Sequence, residues 1–409
     1  MAVFGLTKKE LSWVLYDVGN SAFVMLSTAI IPIYFASLAE PGSSVVVAWG
    51  YAETVASLIL ALLMPFLGSL ADFAGNKKKF LVGFAGTGAV ACAALGIPDH
   101  ALLFLVVYVV ASVMLNGSMV FYDAFLVDAT TEDRYDEVSS HGYAWGYIGS
   151  CIPFIACLAI VLGGESFGIE TALGMKIAFI ITALWWVAFT VPIARTVRQT
   201  HAKERTEHPF AQSFKGLFAT MRDIVADRRL LFFMLAFFFY IDGVHTVIKM
   251  STSYGTELGI DATQLVLALL VTQFVAFPSA VIYGRLAVRH GTRRMLMVGV
   301  FAYFCIVLFA AFCLKSAVEF WILAICVGLF QGGIQALSRS EFGKLIPRER
   351  ANEYYGFFDI FGKYAAVMGT FLVSVFTQLT GDPTFGVLSI AVLFVVAFVL
   401  LKLMPTHVR

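Results

Sequence analysis

Twelve stretches of this sequence are apolar over about the length a helix needs to cross a bilayer, roughly 20 residues. In the first half they cover 11–36, 48–71, 80–97, 101–128, 140–163 and 173–194. In the second half they cover 230–254, 263–288, 295–314, 318–338, 354–378 and 384–404. A backbone that crosses hydrocarbon must satisfy its own N–H and C=O groups, so each stretch reads as a helix. Charged residues make up 13% of the chain, against about 25% in soluble domains. The expected fold class is therefore an all-α polytopic membrane protein. The opening MAVFGLTKKELSW has no apolar core followed by a cleavage site, so no removable signal peptide is expected.

One connection is long. Residues 195–229 are polar and basic, and they divide the chain into an N-terminal six-helix bundle (1–194), a cytoplasmic linker (195–229) and a C-terminal six-helix bundle (230–409). Lysine and arginine set the orientation. With the N-terminus in the cytoplasm, that side collects Lys8, Lys9, Lys77–Lys79, Arg134, the linker cations, Arg285, Arg289, Arg293, Arg294, Arg339, Lys344, Arg348, Arg350, Lys402 and Arg409. Of the 28 basic residues, Lys315 alone falls in an opposite-side loop, and Lys176, Lys249 and Lys363 lie in or at the ends of helices. Both termini are expected in the cytoplasm.

The halves repeat. Sliding the second over the first by 216 positions lays Gly68-Ser-Leu-Ala-Asp72-Phe-Ala-Gly75-Asn-Lys77-Lys78 over Gly284-Arg-Leu-Ala-Val288-Arg-His-Gly291-Thr-Arg293-Arg294. In the same register Arg134 meets Arg350, Glu137 meets Glu353 and Gly146 meets Gly362. A gap-free repeat at equivalent connections points to a duplicated six-helix unit with both copies in the same membrane orientation.

The segment Gly68–Lys79 resembles motif A of the major facilitator superfamily, G-x-L-a-D-x-x-G-x-(R/K)-(R/K), placed between the second and third spans. A degenerate copy follows the eighth span, with Val288 in place of the acid. Ser12–Phe23 (SWVLYDVGNSAF), Phe121–Leu126 (FYDAFL) and Gly332–Ser340 (GGIQALSRS) resemble the Atg22-like, or UMF1, branch. The resemblance implies the major facilitator fold, 12 transmembrane helices in two six-helix bundles, and secondary transport. For the eukaryotic relatives it implies amino-acid efflux. In physical terms, Gly68 and Gly75 allow close helix approach and a tight turn. Asp72 can face the positive N-terminus of a neighbouring helix or a nearby Arg. Such a contact would latch one state of an alternating-access cycle, and Gly68, Asp72, Gly75, Lys77 and Arg339 are the expected gating residues.

Charges inside a membrane cost roughly 2.5–3.5 kcal/mol each on insertion scales, so each needs a reason. The first span carries Tyr16, Asp17 and Asn20. The fourth carries Asn116, Tyr122, Asp123 and Asp128, the last read as interfacial. Asp123 lies over Arg339 in the repeat, which suggests an ion pair at the entrance. The seventh holds Tyr240 and a stripe of Asp242, His245 and Lys249, spaced to share one face as a proton relay or substrate clamp. Gln273, Gln331 and Gln335 are neutral hydrogen-bonding candidates. Asp359 and Lys363 form an i,i+4 pair, and Glu53 sits in the opposite half of the membrane. Gly142, Gly146 and Gly149 form a small-residue stripe that suits close packing. The phenylalanines, with Trp145, Trp185 and Trp186, read as mainly lipid-facing, and the six cysteines as small core residues.

There is no Walker sequence, no HExxH, no GxSxG and no metal-like cluster, so neither an ATPase nor another enzyme is indicated, and no cofactor is expected. The net charge of +1 offers no field for nucleic acid. The expected partners are a small-molecule substrate, protons and membrane lipid, with the chain acting as a monomer in the cell inner (plasma) membrane. The expected function is proton-coupled secondary transport of a small polar solute, with a lipid or amphiphile flippase as the alternative.

Overall fold

The computed structural model describes residues 5–39, 45–204, 209–257 and 259–405. Its α-helices are α1 (Lys8–Leu38), α2 (Val45–Ala71), α3 (Lys77–Ala94), α4 (Ala101–Ala124), α5 (Leu126–Ala129), α6 (Tyr135–Gly163) and α7 (Thr171–Thr196). They continue with α8 (Pro209–Ala226), α9 (Arg228–Glu257), α10 (Ala262–His290), α11 (Thr292–Cys313), α12 (Ala317–Leu345), α13 (Ala351–Thr380) and α14 (Pro383–Leu403). Eleven helical segments among the described residues are long and apolar enough to cross a membrane. The third span forms a helix too, but α3 has 18 residues and opens on Lys77, Lys78 and Lys79, which dilutes its apolar character.

The chain forms two compact units. Unit 1 comprises residues 1–130, 145–214 and 348–356; unit 2 comprises 131–144, 215–347 and 357–409. In unit 1, α1 packs on α7, α3 on α4 and α7, and α2 on α4. In unit 2, α9 packs on α14, α11 on α12 and α14, and α10 on α12. Counted within each set of six spans, these are the same four pairs, so the repeat read at 216 residues is also a repeat of packing. Small residues permit the approach. A methyl group on Gly149 would come within 2.5 Å of Val18, and one on Gly333 within 2.3 Å of the Tyr283 ring.

Helix boundaries follow local chemistry. Thr7 and Glu10 form a capping box at the start of α1, with Thr7 N donating to Glu10 Oε2 at 2.7 Å and Glu10 N to Thr7 Oγ1 at 3.3 Å. Asp382 caps α14, whose first residue is Pro383. The fourth apolar stretch, read as continuous over 101–128, breaks instead after Ala124 into the short α5.

The apolar exterior suits lipid: Leu62, Val90, Leu102, Leu162 and Leu184 are all more than 60% exposed. Two expectations fail here. Trp186 is fully buried against Phe23 and Gly88 rather than facing lipid, because α3 lacks a side chain at Gly88 and leaves room for the indole. Cys305 and Cys313 are exposed rather than in the core, on the outer face of α11, where a thiol is apolar enough for lipid.

Candidate functional site

In unit 1 the α2–α3 turn is built around Gly75, which adopts φ +82°. Only glycine takes that conformation without strain. Asp72, just past the end of α2, is 1% exposed. Its carboxylate accepts from Asn352 N at 2.9 Å, Asn352 Nδ2 at 2.7 Å and Glu353 N at 3.1 Å. These backbone donors belong to the first turn of α13, where N–H groups lack intrahelical partners and the helix dipole is positive. Close approach at Gly68 makes this possible: a Cβ there would sit 2.5 Å from Asn352 O. Burial pushes the Asp72 carboxyl up to about 6, against the pull of Lys203, Lys77 and the Asn352 donors.

The start of the linker is fastened onto the same turn. Lys203 N donates to Asp72 O at 2.8 Å, and Lys203 Nζ lies 2.6 Å from Glu353 Oε2 and 3.8 Å from Asp72 Oδ2. Gln199 Oε1 accepts from Gly75 N at 3.0 Å and Lys77 N at 3.3 Å, while Gln199 Nε2 donates to Ala71 O and Asp72 O at 3.2 Å. Lys77 is fully buried and pairs with Asp128 at 2.7 Å, over the Phe125 ring. Asp128 also accepts from Thr200 N at 2.7 Å and His201 N at 2.9 Å. Burial raises this carboxyl, but Lys77 and the Thr200 and His201 donors outweigh it and hold Asp128 below the usual carboxylate range. Asp128 is thus a buried ion-pair partner, because the turn after Ala124 points it at α3.

Unit 2 meets the same need differently. Gly291 repeats the left-handed turn at φ +91°, but Val288, at the place of Asp72, is 57% exposed. The acid is instead Asp136, in the first turn of α6. It accepts from Thr292 Oγ1 at 2.7 Å, Ser340 Oγ at 2.5 Å and Lys344 Nζ at 2.7 Å. Gly284, the repeat of Gly68, receives this helix start, with its virtual Cβ 2.5 Å from Ser140 Oγ. Arg339 is buried. Its Nε donates to Ser139 Oγ at 2.9 Å, and its guanidinium stacks over the Tyr143 ring at 4.4 Å.

The interior polar residues fall into local groups. In unit 1, Tyr16 donates to Ser118 Oγ at 2.6 Å, Tyr122 donates to Asp17 Oδ2 at 3.1 Å and Asn20 Nδ2 donates to Tyr16 O at 3.0 Å. Trp13 stacks on Tyr122 with centroids 4.4 Å apart. A Cβ on Gly146 would lie 3.4 Å from the Asp17 carboxyl carbon. Asn116 turns back on its own helix, donating to Ser112 O, and Asp123 is half-buried at the end of α4. Glu53 accepts from Tyr108.

In unit 2, Tyr240 and Ser338 are joined at 2.6 Å, the same helix pair and side-chain types as Tyr16 and Ser118. Asp242 is fully buried against α13. Its Oδ1 accepts from Gly369 N at 2.8 Å and Thr246 Oγ1 at 3.4 Å, and its Oδ2 has no partner among the described residues. The expected stripe of Asp242, His245 and Lys249 is not uniform, because Asp242 turns with Thr246 onto α13 while His245 is half-buried and Lys249 exposed. Lys363 pairs with Asp359. Gln273 and Gln331 line one cavity of about 80 Å³ between α10 and α12, with Thr272 and Phe320, whereas Gln335 lies outside it.

Sequence reasoning missed Asn352, Gln199, Lys203, Asp136 and Lys344. The repeat register held a signal for two of them, since Asn352 lies over Asp136 at the start of equivalent helices.

A family model described as "Vacuole effluxer Atg22 like" matches residues 43–408. A Bacillus subtilis (strain 168) protein described as "Uncharacterized MFS-type transporter YxiO" is 45% identical over 408 residues, 98% of this chain and 95% of that one. Autophagy-related protein 22 of Coccidioides immitis (strain RS) is 24% identical over 428 residues, covering 84% of this chain and 70% of its own. Among solved structures, the transporter FucP in the outward conformation aligns with a TM-score of 0.75 over 98% of this chain and 99% of its own, at 14% identity. The proton:xylose symporter XylE aligns with a TM-score of 0.76 over 97% and 94%, at 10% identity.

Proposed function

This chain belongs to the Atg22-like family of major facilitator superfamily transporters, and we propose that it moves a small polar solute, an amino acid or related metabolite, by proton-coupled alternating access. The observation that carries this reading is a buried carboxylate on the first helix of each set of six: Asp17, 3% exposed, and Asp242, 0% exposed. Each accepts from uncharged donors, Tyr122 for one and Gly369 N with Thr246 for the other. A buried carboxyl at membrane depth is costly to keep charged, which suits it to taking up and releasing a proton. The loop cations favour cytoplasmic termini, and the likeness to a bacterial protein favours the plasma membrane. On this reading the Asp72 contact with α13 is a gate element that must break and re-form in each cycle.

The test is flux into proteoliposomes with and without an imposed pH gradient. The substrate is chosen first, by thermal-shift screening of amino acids, dipeptides, sugars and organic acids; a ligand of the folded state raises stability by about 2.7 kcal/mol at a hundred times its Kd. Asp242→Asn and Asp17→Asn should abolish gradient-driven accumulation while leaving counterflow exchange. Accumulation that ignores both the gradient and the two substitutions would sink proton coupling.

A further inference from the structure

On the flank of unit 1 beside the α2–α3 turn, a groove of about 590 Å³ opens between α2, α3 and α4. One end is polar, formed by Lys79 and Asn76 at the first turn of α3. Lys77 is committed to Asp128, but Lys79 is exposed. The walls away from that end are apolar: Phe80 and Phe84, both packed on Phe121 with centroids 5.3 Å away, and Met114. Gly83 forms part of the floor, and a Cβ there would meet nothing within 4 Å. From residue 80 to 87 the wall runs about 10 Å along the helix.

The helix α8 begins at the mouth of this groove. Phe210 lines its mouth, with its ring 6.2 Å from Phe66. It is the first of an exposed apolar stripe, Phe210, Phe214, Phe218, Met221 and Val225, each 52–70% exposed. Spacings of three and four residues put the stripe on one helix face. A helix with such a face, one residue ahead of the membrane-spanning α9, suits the boundary between headgroups and acyl chains. The groove mouth, set where the spanning α2 ends and α3 begins, lies at headgroup level on the same grounds, its cation among phosphates and its aromatic walls running into hydrocarbon.

We infer that this groove seats an anionic phospholipid of the adjoining leaflet, with its phosphate at Lys79 and Asn76, one acyl chain along Phe80, Gly83 and Phe84, and Phe210 over its mouth. A polar solute would leave the aromatic walls unmatched, and a free phosphate would leave most of the volume empty. The site lies outside the interior carboxylates proposed for transport, so its failure would leave that proposal standing.

Native mass spectrometry of the full chain, released from micelles doped with phosphatidylglycerol or phosphatidylcholine, tests this. Wild type should retain phosphatidylglycerol over phosphatidylcholine by about fivefold, the effect of one lysine near an anionic surface. Lys79→Gln should level the two lipids. Gly83→Trp should fill the groove and remove the retained lipid of either kind. Millimolar inorganic phosphate should displace nothing. Equal retention of both lipids by wild type, unchanged retention by Gly83→Trp, or displacement by phosphate would each overturn the inference. Unchanged thermal unfolding of Lys79→Gln, whose side chain is exposed, keeps the headgroup arm readable should Gly83→Trp not fold.

Discussion

The two turns related by the 216-residue repeat share a backbone and differ in where the negative charge sits. In unit 1 the acid is Asp72, on the turn, and it receives fixed backbone N–H groups of α13. In unit 2 the acid is Asp136, on the helix start, and it receives the rotatable side chains of Thr292, Ser340 and Lys344. Backbone donors at a helix start cannot turn away to find another partner, whereas the Ser340 hydroxyl has Leu337 O as a second acceptor at 3.1 Å and the Lys344 ammonium, 20% exposed, can turn toward water. The unit 1 turn is therefore the less forgiving one, and the linker residues Gln199 and Lys203 bind it further.

The comparison can be broken most severely at Lys77. Removing one partner of a fully buried pair leaves an uncompensated charge, so Lys77→Met should lower the unfolding free energy by about 3–5 kcal/mol. Lys77→Met combined with Asp128→Leu should recover much of that loss, measured by thermal unfolding in detergent. Next, Asp72→Ala should cost about 1–3 kcal/mol by orphaning buried N–H groups, and Asp136→Ala should cost clearly less. Equal losses at the two acids would remove the distinction between fixed and rotatable donors.

A smaller effect lies in pH. Burial raises the folded-state Asp72 value from 3.8 to about 6. Its contribution to stability is therefore complete below the unfolded value and lost as pH rises through about 6. Asp72→Asn stays neutral throughout, so its Tm relative to wild type should climb between about pH 4 and pH 7. A constant difference would mean that Asp72 does not titrate in that window. Smallest of all, Val288→Asp restores the missing acid at an exposed position and should stay within about 0.5 kcal/mol of wild type.

Hydropathy placed the spanning helices well, because a 20-residue apolar run has few fates in lipid. It did less well at their ends. The fifth stretch, read from 140, begins at Tyr135, since Asp136 and Glu137 favour a first helical turn that an apolar window discards. The turn glycines and Asp72 were legible because they recur at fixed spacing. Asp128 and Lys203 were not, because their partners lie 51 and 150 residues away and only tertiary approach brings them together. The stripe on α9 was legible only as spacing: that gives a shared face, but not which member a neighbouring helix will bury.

Gly75 and Gly291 bear on how the two halves have diverged. Both keep the same left-handed backbone, at φ +82° and +91°, while three positions around them have exchanged charge: Asp72 against Val288, Asn352 against Asp136, Asp128 against Lys344. A duplicated gene can trade a carboxylate between neighbouring segments in a few compensating steps. It cannot give up a positive-φ turn without rebuilding the helix pair on either side. The lasting record of the ancestral unit in this chain is a shape and its basic flank, with the carboxylates reassigned on each copy.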